Sequence, residues 1–418
     1  MPTVRGRILA AASLVLYVVA RALSVDELFA LSAAALVFPA LAMGAIRLRS
    51  AVPSIERSIG PRRLFAGRVA RVTYTVRNEA RRSTTPILIE DPAPAIMGGA
   101  IVLAMPGLRR GAGGTVSIDR RLTGRGRHPV GPLRVRIVDP LGLAERTVEA
   151  AAAQTVTVYP KVELLRERSP GALGTGEAPA RAHRIANTGD EFYAIREWRD
   201  GDDLRKVHWR STARSGGLMV RQEEQLPHPR ATLFYDNRLP SLPRAESGFE
   251  WGITLIASIA WELSRQGTVV RAATLDIPPG VARWGREAAE PILSMLAVTA
   301  PSPSSLLPAA RALTAARGAG GTLIAALPPP SEADARALAA ARGAYGWAGA
   351  VLIDVGSFAG VVGRSRSEYD HRLAQAQRIL GAAGWRVVVA GRKDTPSNVW
   401  NALVGPSRPL ASLRSSRS

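Results

Sequence analysis

Gly189 to Arg221 reads GDEFYAIREWRDGDDLRKVHWRSTARSGGLMVR, and the chain changes character on either side of it. Its 33 positions hold seven arginines and lysines, six acids, two tryptophans and one histidine, whereas its flanks are plain Ala/Val/Leu/Arg sequence. Carboxylates and guanidiniums at such spacing form bidentate pairs, and indole rings between them lower the local dielectric and strengthen each pair. Asp202 and Asp203 stand three and two residues before Arg205, and Asp190 and Glu191 precede Arg196 and Glu197. This spacing predicts an ion-pair network docked between two folded bodies, with Trp198 and Trp209 as core anchors. A second reading makes Asp202, Asp203, Arg205 and His208 a recognition surface or an active site, since a histidine beside an aromatic can titrate near neutrality.

Downstream of Pro229 the pattern is strand and helix in alternation. ATLFYD, TVVRAATLD, GGTLIAAL, GAVLIDVG and WRVVVAG are short runs, apolar on both faces. FEWGITLIASIAWELSRQG, SEADARALAAARG and EYDHRLAQAQRILGAAG carry helical periodicity, as do stretches at 286–298, 306–316 and 397–403. Strands buried on both faces and separated by helices predict a parallel, doubly wound α/β domain over 229–405. Upstream, RVARVTYTV, TPILIED, TVSIDRRL, LRVRIVD and QTVTVYP alternate with period two between Gly, Pro and Asn. Period two means one buried face per strand, so 50–165 is expected to be a β-sandwich of immunoglobulin-like size. Residues 166–188, with SPGALGTGEAPA, read as a linker, 189–228 as the charged segment, and 406–418 as a flexible tail.

Two apolar runs open the chain, Ile8 to Val19 with an extension to about Val25, and Leu28 to Ile46. The second is long enough, at about 1.5 Å per residue, to match a hydrocarbon layer of about 30 Å. Arg21 interrupts the first and must snorkel, while Pro39 inside the second is tolerated in a membrane helix. With Ser24-Val25-Asp26-Glu27 as a polar turn, residues 1–49 are expected to form a two-helix hairpin. Arg5 and Arg7 precede it and Arg47 and Arg49 follow it, so the excess of basic residues places both ends in the cytoplasm. A rival reading takes residues 1 to about 22 as a signal peptide with Ala20-Arg21-Ala22 at the cleavage site. It would require translocation of the arginine-rich flank, against the charge rule.

The formal charge is +21, but only Lys161, Lys206 and Lys393 are lysines, so arginine supplies the excess. Arginine with abundant Ala and Gly is what a GC-rich genome writes. No nucleic-acid motif or aromatic stacking array accompanies it, and nucleic acid is not expected as a partner. The 18 arginines against five acids between Arg47 and Arg136 suit an anionic bilayer surface, or a plainly solvated sandwich. There is no cysteine, so disulfides, thiol nucleophiles and thiolate metal sites are excluded. Phosphate-loop, nucleophile-elbow and zinc-helix motifs are missing, and His128, His183, His208, His228 and His371 share no metal-ligand spacing.

The order G-D-E-F-x-x-I-R-E-W-x-x-G-D-D-x-R-x-x-H-W-x-x-T-A-R, carried by residues including Glu191, Arg196, Glu197, Gly201, Asp202, Asp203, Arg205, His208, Trp209 and Arg214, resembles the signature of the bacterial domain of unknown function 58 family. TGRGRHPVGPLRVRIVDPLGLAERT resembles a second segment of that family, with Leu141 where an aromatic is usual. The resemblance implies a membrane hairpin, a β-rich segment, the signature and a domain similar to von Willebrand factor type A. It implies no activity. It also implies company: a MoxR-type AAA+ ATPase and a transglutaminase-like membrane protein in envelope assembly.

In a metal-binding type A domain the first strand ends D-x-S-x-S, whose oxygens ligate a hard cation. The corresponding stretch here is Asp236-Asn237-Arg238-Leu239-Pro240. Both serines are gone, and a guanidinium at Arg238 would repel a cation and could pair with Asp236 in its place. Asp276 and Asp354 also end strands, where a three-carboxylate crevice is conceivable, although strand-end aspartates more often cap turns. The expectation is therefore a membrane-anchored scaffold without cofactor or metal. Two alternatives stand beside it: a hydrolase using Asp202, Asp203 or Glu197, and a metal-dependent adhesion domain outside the cell.

Overall fold

The computed structural model describes residues 1–49, 52–165, 193–198, 207–223, 229–240, 242, 244–280, 285, 288–315 and 321–405. They fall into two compact units, Met1–Lys161 and Val162–Ser418.

The first unit opens with helices α1 (Val4–Leu23) and α2 (Asp26–Arg49), both long and apolar enough to cross a membrane. α1 runs unbroken through Arg21, and α2 already starts at Asp26, so the turn shrinks to Ser24-Val25, with Ser24 in the left-handed region at φ 50°. The helices pack through small residues, Ala20 and Ala35 being buried, and the Ser32 hydroxyl donates to the Ser13 carbonyl at 2.7 Å. Tyr17 meets Phe29 edge to face at 5.7 Å.

Ten strands follow: β1 (Ser54–Gly60), β2 (Leu64–Phe65), β3 (Val69–Arg77), β4 (Ile87–Asp91), β5 (Ile101–Met105), β6 (Gly113–Arg121), β7 (Gly126–Val130), β8 (Leu133–Val138), β9 (Glu145–Ala151) and β10 (Gln154–Tyr159). They form sheets ordered β1-β3-β6, β5-β4-β8-β9 and β2-β10-β7. Alternation decides which face is buried: Val72, Tyr74 and Val76 of β3 point the same way and meet Ile87, Ile89, Leu133, Val135 and Ile137 of the facing sheet in one core. A smaller cluster of Leu64, Ala70, Met97, Leu122, Val130 and Val158 closes one end. Within the main core a buried ion pair joins Arg57 to Asp91, and the Tyr74 hydroxyl donates to the same carboxylate at 2.6 Å. Burial, and then this bond, hold the Tyr74 hydroxyl well above its ordinary pKa, so it remains a donor.

The chain's first residues complete this unit. Thr3 N–H donates to the Leu143 carbonyl at 3.0 Å and Glu145 N–H to the Met1 carbonyl at 2.8 Å, so Met1–Thr3 pairs antiparallel with the start of β9. Thr3 then caps α1 through the Gly6 N–H.

The second unit contains β11 (Tyr193–Glu197), α3 (Trp209–Ser215) and β12 (Met219–Glu223), with β11 and β12 antiparallel. After them come β13 (Arg230–Tyr235), α4 (Ala245–Arg265), β14 (Val269–Thr274), α5 (Ala289–Val298), α6 (Leu306–Ala315), β15 (Thr322–Leu327), α7 (Glu332–Ala339), β16 (Trp347–Ile353), α8 (Val355–Ala359), α9 (Gly363–Ala382), β17 (Arg386–Ala390) and α10 (Pro396–Val404). The five strands β13–β17 are all parallel, ordered β14-β13-β15-β16-β17. Counting from β13 this is 2-1-3-4-5, whose topological switch lies between β13 and β15. Phe234, Ala325, Ala350 and Leu352 face a core with residues of α6, α7 and α9, while α4 packs on the other face. There Gly252 is required, because a β-carbon would stand 2.7 Å from both Ile353 Cδ1 and the Tyr235 ring.

Candidate functional site

Parallel sheets bind ligands beyond the carboxyl ends of their strands, at the switch point. Here that position follows β13, where Asp236 is fully buried. Arg238 lies across it: Nε contacts both carboxylate oxygens at 3.0 and 3.1 Å, Nη2 donates to Oδ2 at 2.7 Å, and the Arg238 backbone N–H donates to Oδ1 at 3.1 Å. Its Nη1 reaches Asp334 Oδ2, in the first turn of α7, at 2.8 Å. Burial works against the cation, but the two carboxylates outweigh it and raise the Arg238 pKa above its ordinary value. The planar fork matches carboxylate geometry, so this one side chain neutralises two acids from separate elements.

The other two strand-end acids are also engaged. Asp354 caps α8 by accepting from Ser357 N–H, and Arg366 of α9 donates to its two oxygens at 2.8 Å each. Asp276, two residues beyond β14, accepts from Ser302 at 2.6 Å, Ser304 at 2.9 Å and Asn237 Nδ2 at 2.9 Å. The Ser302 bond, then that of Asn237, hold its carboxyl below the usual range. A depressed folded-state pKa adds stability that is present above the ordinary value of about 3.9 and is lost as pH falls through the lower folded value. Carboxyl-carbon NMR of the full chain in micelles should therefore give Asp276 a midpoint below about 3.9. A midpoint at or above that value would contradict the hydroxyl clamp.

The charged segment is described in part. Glu191, Gly201, Asp202, Asp203 and Arg205 lie outside the described residues, as do 166–188 and 406–418. Arg196 and Glu197 lie on β11, opposite Val220 and Met219. His208 Nδ1 accepts from the Ser211 N–H at the start of α3 and lies 2.8 Å from the Ser211 hydroxyl, so the imidazole serves as a helix cap. Arg214 is in the last turn of α3 and exposed. Trp209 corrects the sequence expectation: it is 69% exposed, not a core anchor. The reason is local, since it is the first residue of a seven-residue helix in which no residue is buried. Trp198 is half-buried.

The three strand-end aspartates are thus spent separately, on Arg238 with Asp334, on Ser302, Ser304 and Asn237, and on Arg366. Sequence reasoning missed Asp334, Arg366, Ser302 and Ser304, whose partners lie 96, 12, 26 and 28 residues away. The Ser302-Pro303-Ser304 spacing was the one readable hint. Among the described residues no three His, Asp or Glu side chains converge as a metal-binding group.

No family model matches the chain. The uncharacterized protein YeaD of Bacillus subtilis is 25% identical over 231 residues, 53% of this chain and 55% of that protein, so the chain spans about half the length of the relative it matches. Among solved structures, the CARDB domain of a Pyrococcus furiosus protein is 13% identical with a TM-score of 0.20, covering 26% of this chain and 94% of that one. A GH3 beta-glucosidase of Bifidobacterium adolescentis is 14% identical with a TM-score of 0.17, covering 29% and 19%. What the chain holds in view is two N-terminal apolar helices, a β-rich unit, a parallel α/β unit, and similarity to an uncharacterised bacterial protein.

Proposed function

We propose that this is a membrane-anchored interaction protein without chemistry of its own. In this reading α1 and α2 cross the cytoplasmic membrane as a hairpin, the β-unit is an immunoglobulin-like sandwich, and the α/β unit is related to von Willebrand type A domains. Arg5, Arg7 and Arg47 flank the hairpin and Asp26 and Glu27 stand at its turn, so both ends and the folded units lie in the cytoplasm. The observation that carries the proposal is Arg238, seated between Asp236 and Asp334 where such a sheet would otherwise hold a ligand. A catalytic carboxylate needs an open position and an unspent charge.

The resemblance to the domain of unknown function 58 family suggests the partners, a MoxR-type AAA+ ATPase and a transglutaminase-like membrane protein, and with them a role in envelope assembly. The contact assigned to the ATPase is the charged segment around Asp202 and Arg205. Tagged full-length chain, extracted from membranes in mild detergent, should bring down the ATPase. Asp202→Ala or Arg205→Ala should lower its recovery about tenfold or more, as loss of one buried charged contact does, while Arg71→Ala, on the exposed face of the β-unit, leaves it unchanged. Equal recovery from all three variants would sink this assignment.

A further inference from the structure

The turn between β8 and β9, Asp139-Pro-Leu-Gly-Leu143, is held from within. The Asp139 carboxylate accepts the N–H groups of Leu141 at 3.0 Å and Ala144 at 2.6 Å. Its backbone N–H donates to the Ala144 carbonyl at 3.1 Å, and Gly142, at φ +70°, donates to the Asp139 carbonyl at 2.9 Å. Asp139 is buried, yet the tip it fixes is apolar and faces outward, with Pro140 exposed and Leu141 63% exposed.

The first turn of α1 docks on this same turn. The Thr3 hydroxyl donates to the Gly142 carbonyl at 2.6 Å. Gly6 lies so close that a β-carbon would stand 2.1 Å from the Leu143 carbonyl oxygen, and the Arg5 guanidinium lies beside Gly142. The 20 residues of α1 are about 30 Å long, the thickness of a hydrocarbon layer, so a spanning α1 sets its first turn at the headgroup level. The turn sits at that level too, with the exposed Arg5 and Arg7 beside it to meet lipid phosphates.

We infer that the Pro140–Leu141 tip is a lipid contact, with Leu141 inserted at the headgroup boundary of the bilayer next to α1. This rests on the reading of α1 and α2 as membrane spans. The anchor is then three-pronged: two helices and a rigid wedge that fixes how the β-unit stands on the lipid.

The chain has no cysteine, so single-cysteine variants of the full-length protein can be labelled with an environment-sensitive fluorophore at one place. Three are needed, each reconstituted into phosphatidylethanolamine–phosphatidylglycerol vesicles carrying a nitroxide near the head or the middle of the acyl chain. Leu141→Cys is the test and Leu14→Cys, in mid-α1, reports the span. Val102→Cys is the control, because Val102 is also 63% exposed and pairs through Glu90 with Arg134. Arg134 is four residues before the end of β8, roughly 13 Å from the turn at about 3.3 Å per residue. The label at 141 should be quenched several-fold more by the head-proximal nitroxide than the label at 102, and the label at 14 most by the mid-chain nitroxide. Quenching at 14 with equal quenching at 141 and 102 overturns the wedge alone. No quenching at 14 overturns the spanning reading and the wedge with it.

Discussion

Asp91→Ala should unfold the β-unit or come close to it. The Asp91 and Arg57 side chains are 1% and 3% exposed, so removing the carboxylate leaves a guanidinium without its counter-charge inside the β-unit. Breaking a buried pair in this way costs about 3–5 kcal/mol, against a total domain stability of about 5–15 kcal/mol. The same change removes the acceptor of the Tyr74 hydroxyl, at the centre of β3. Hydrogen exchange of the Val72–Val76 amides in the full chain should accelerate by a hundredfold to a thousandfold or more, at about 1.4 kcal/mol per factor of ten. A triple change, Arg57→Met with Tyr74→Phe and Asp91→Leu, removes all three polar groups together and should recover most of the loss, because well-packed apolar replacements of buried pairs are often neutral. An Asp91→Ala protein that exchanges at the wild-type rate would show that the pair contributes nothing.

Arg238→Ala is expected to do comparable damage in the α/β unit. It strips the counter-charge from a fully buried carboxylate, Asp236, and from Asp334, whose side chain is 12% exposed. The expected loss is again about 3–5 kcal/mol, read as faster exchange of the Leu233–Tyr235 amides in β13. The loss should shrink towards low pH, where Asp236 can take a proton in place of the missing cation. Arg238→Lys should fall in between, since an ammonium cannot reach both acids with a planar fork. Unchanged exchange in Arg238→Ala would mean that the acids are hydrated and the switch point is open, which would return the site to the ligand-binding readings.

What could be read from the sequence was what is periodic or near in the chain. LRVRIV of β8 buries Leu133, Val135 and Ile137, as its alternation requires, and the doubly apolar strands of the parallel sheet were recognisable as such. Asp236 and Arg238 are two residues apart, so their pairing was a local matter. Asp334, which completes the triad, is 96 residues from Arg238, and no spacing announces a contact of that range. β1 was hidden for a related reason. Its SIERSIG puts an arginine, a residue expected in solvent, on the same face as Ile55 and Ile59, and only the partner from β4 lets Arg57 be buried there. β5 escaped because Ile101 and Met105, at its ends, are buried while the exposed Val102 breaks the alternation. Trp209 failed in the other direction: indole size argues for burial, but α3 is too short to carry it into a core.

The pairing of Met1–Thr3 with the start of β9 has a consequence for biosynthesis. These residues leave the ribosome before their partners at Leu143–Glu145, which emerge roughly 140 residues later, about 7–30 s at 5–20 residues per second. The opening segment must wait through that interval with its backbone groups unmatched. The seam between the start of α1 and β9 thus closes only once the strands of the β-unit have been made, and its timing is set by their synthesis.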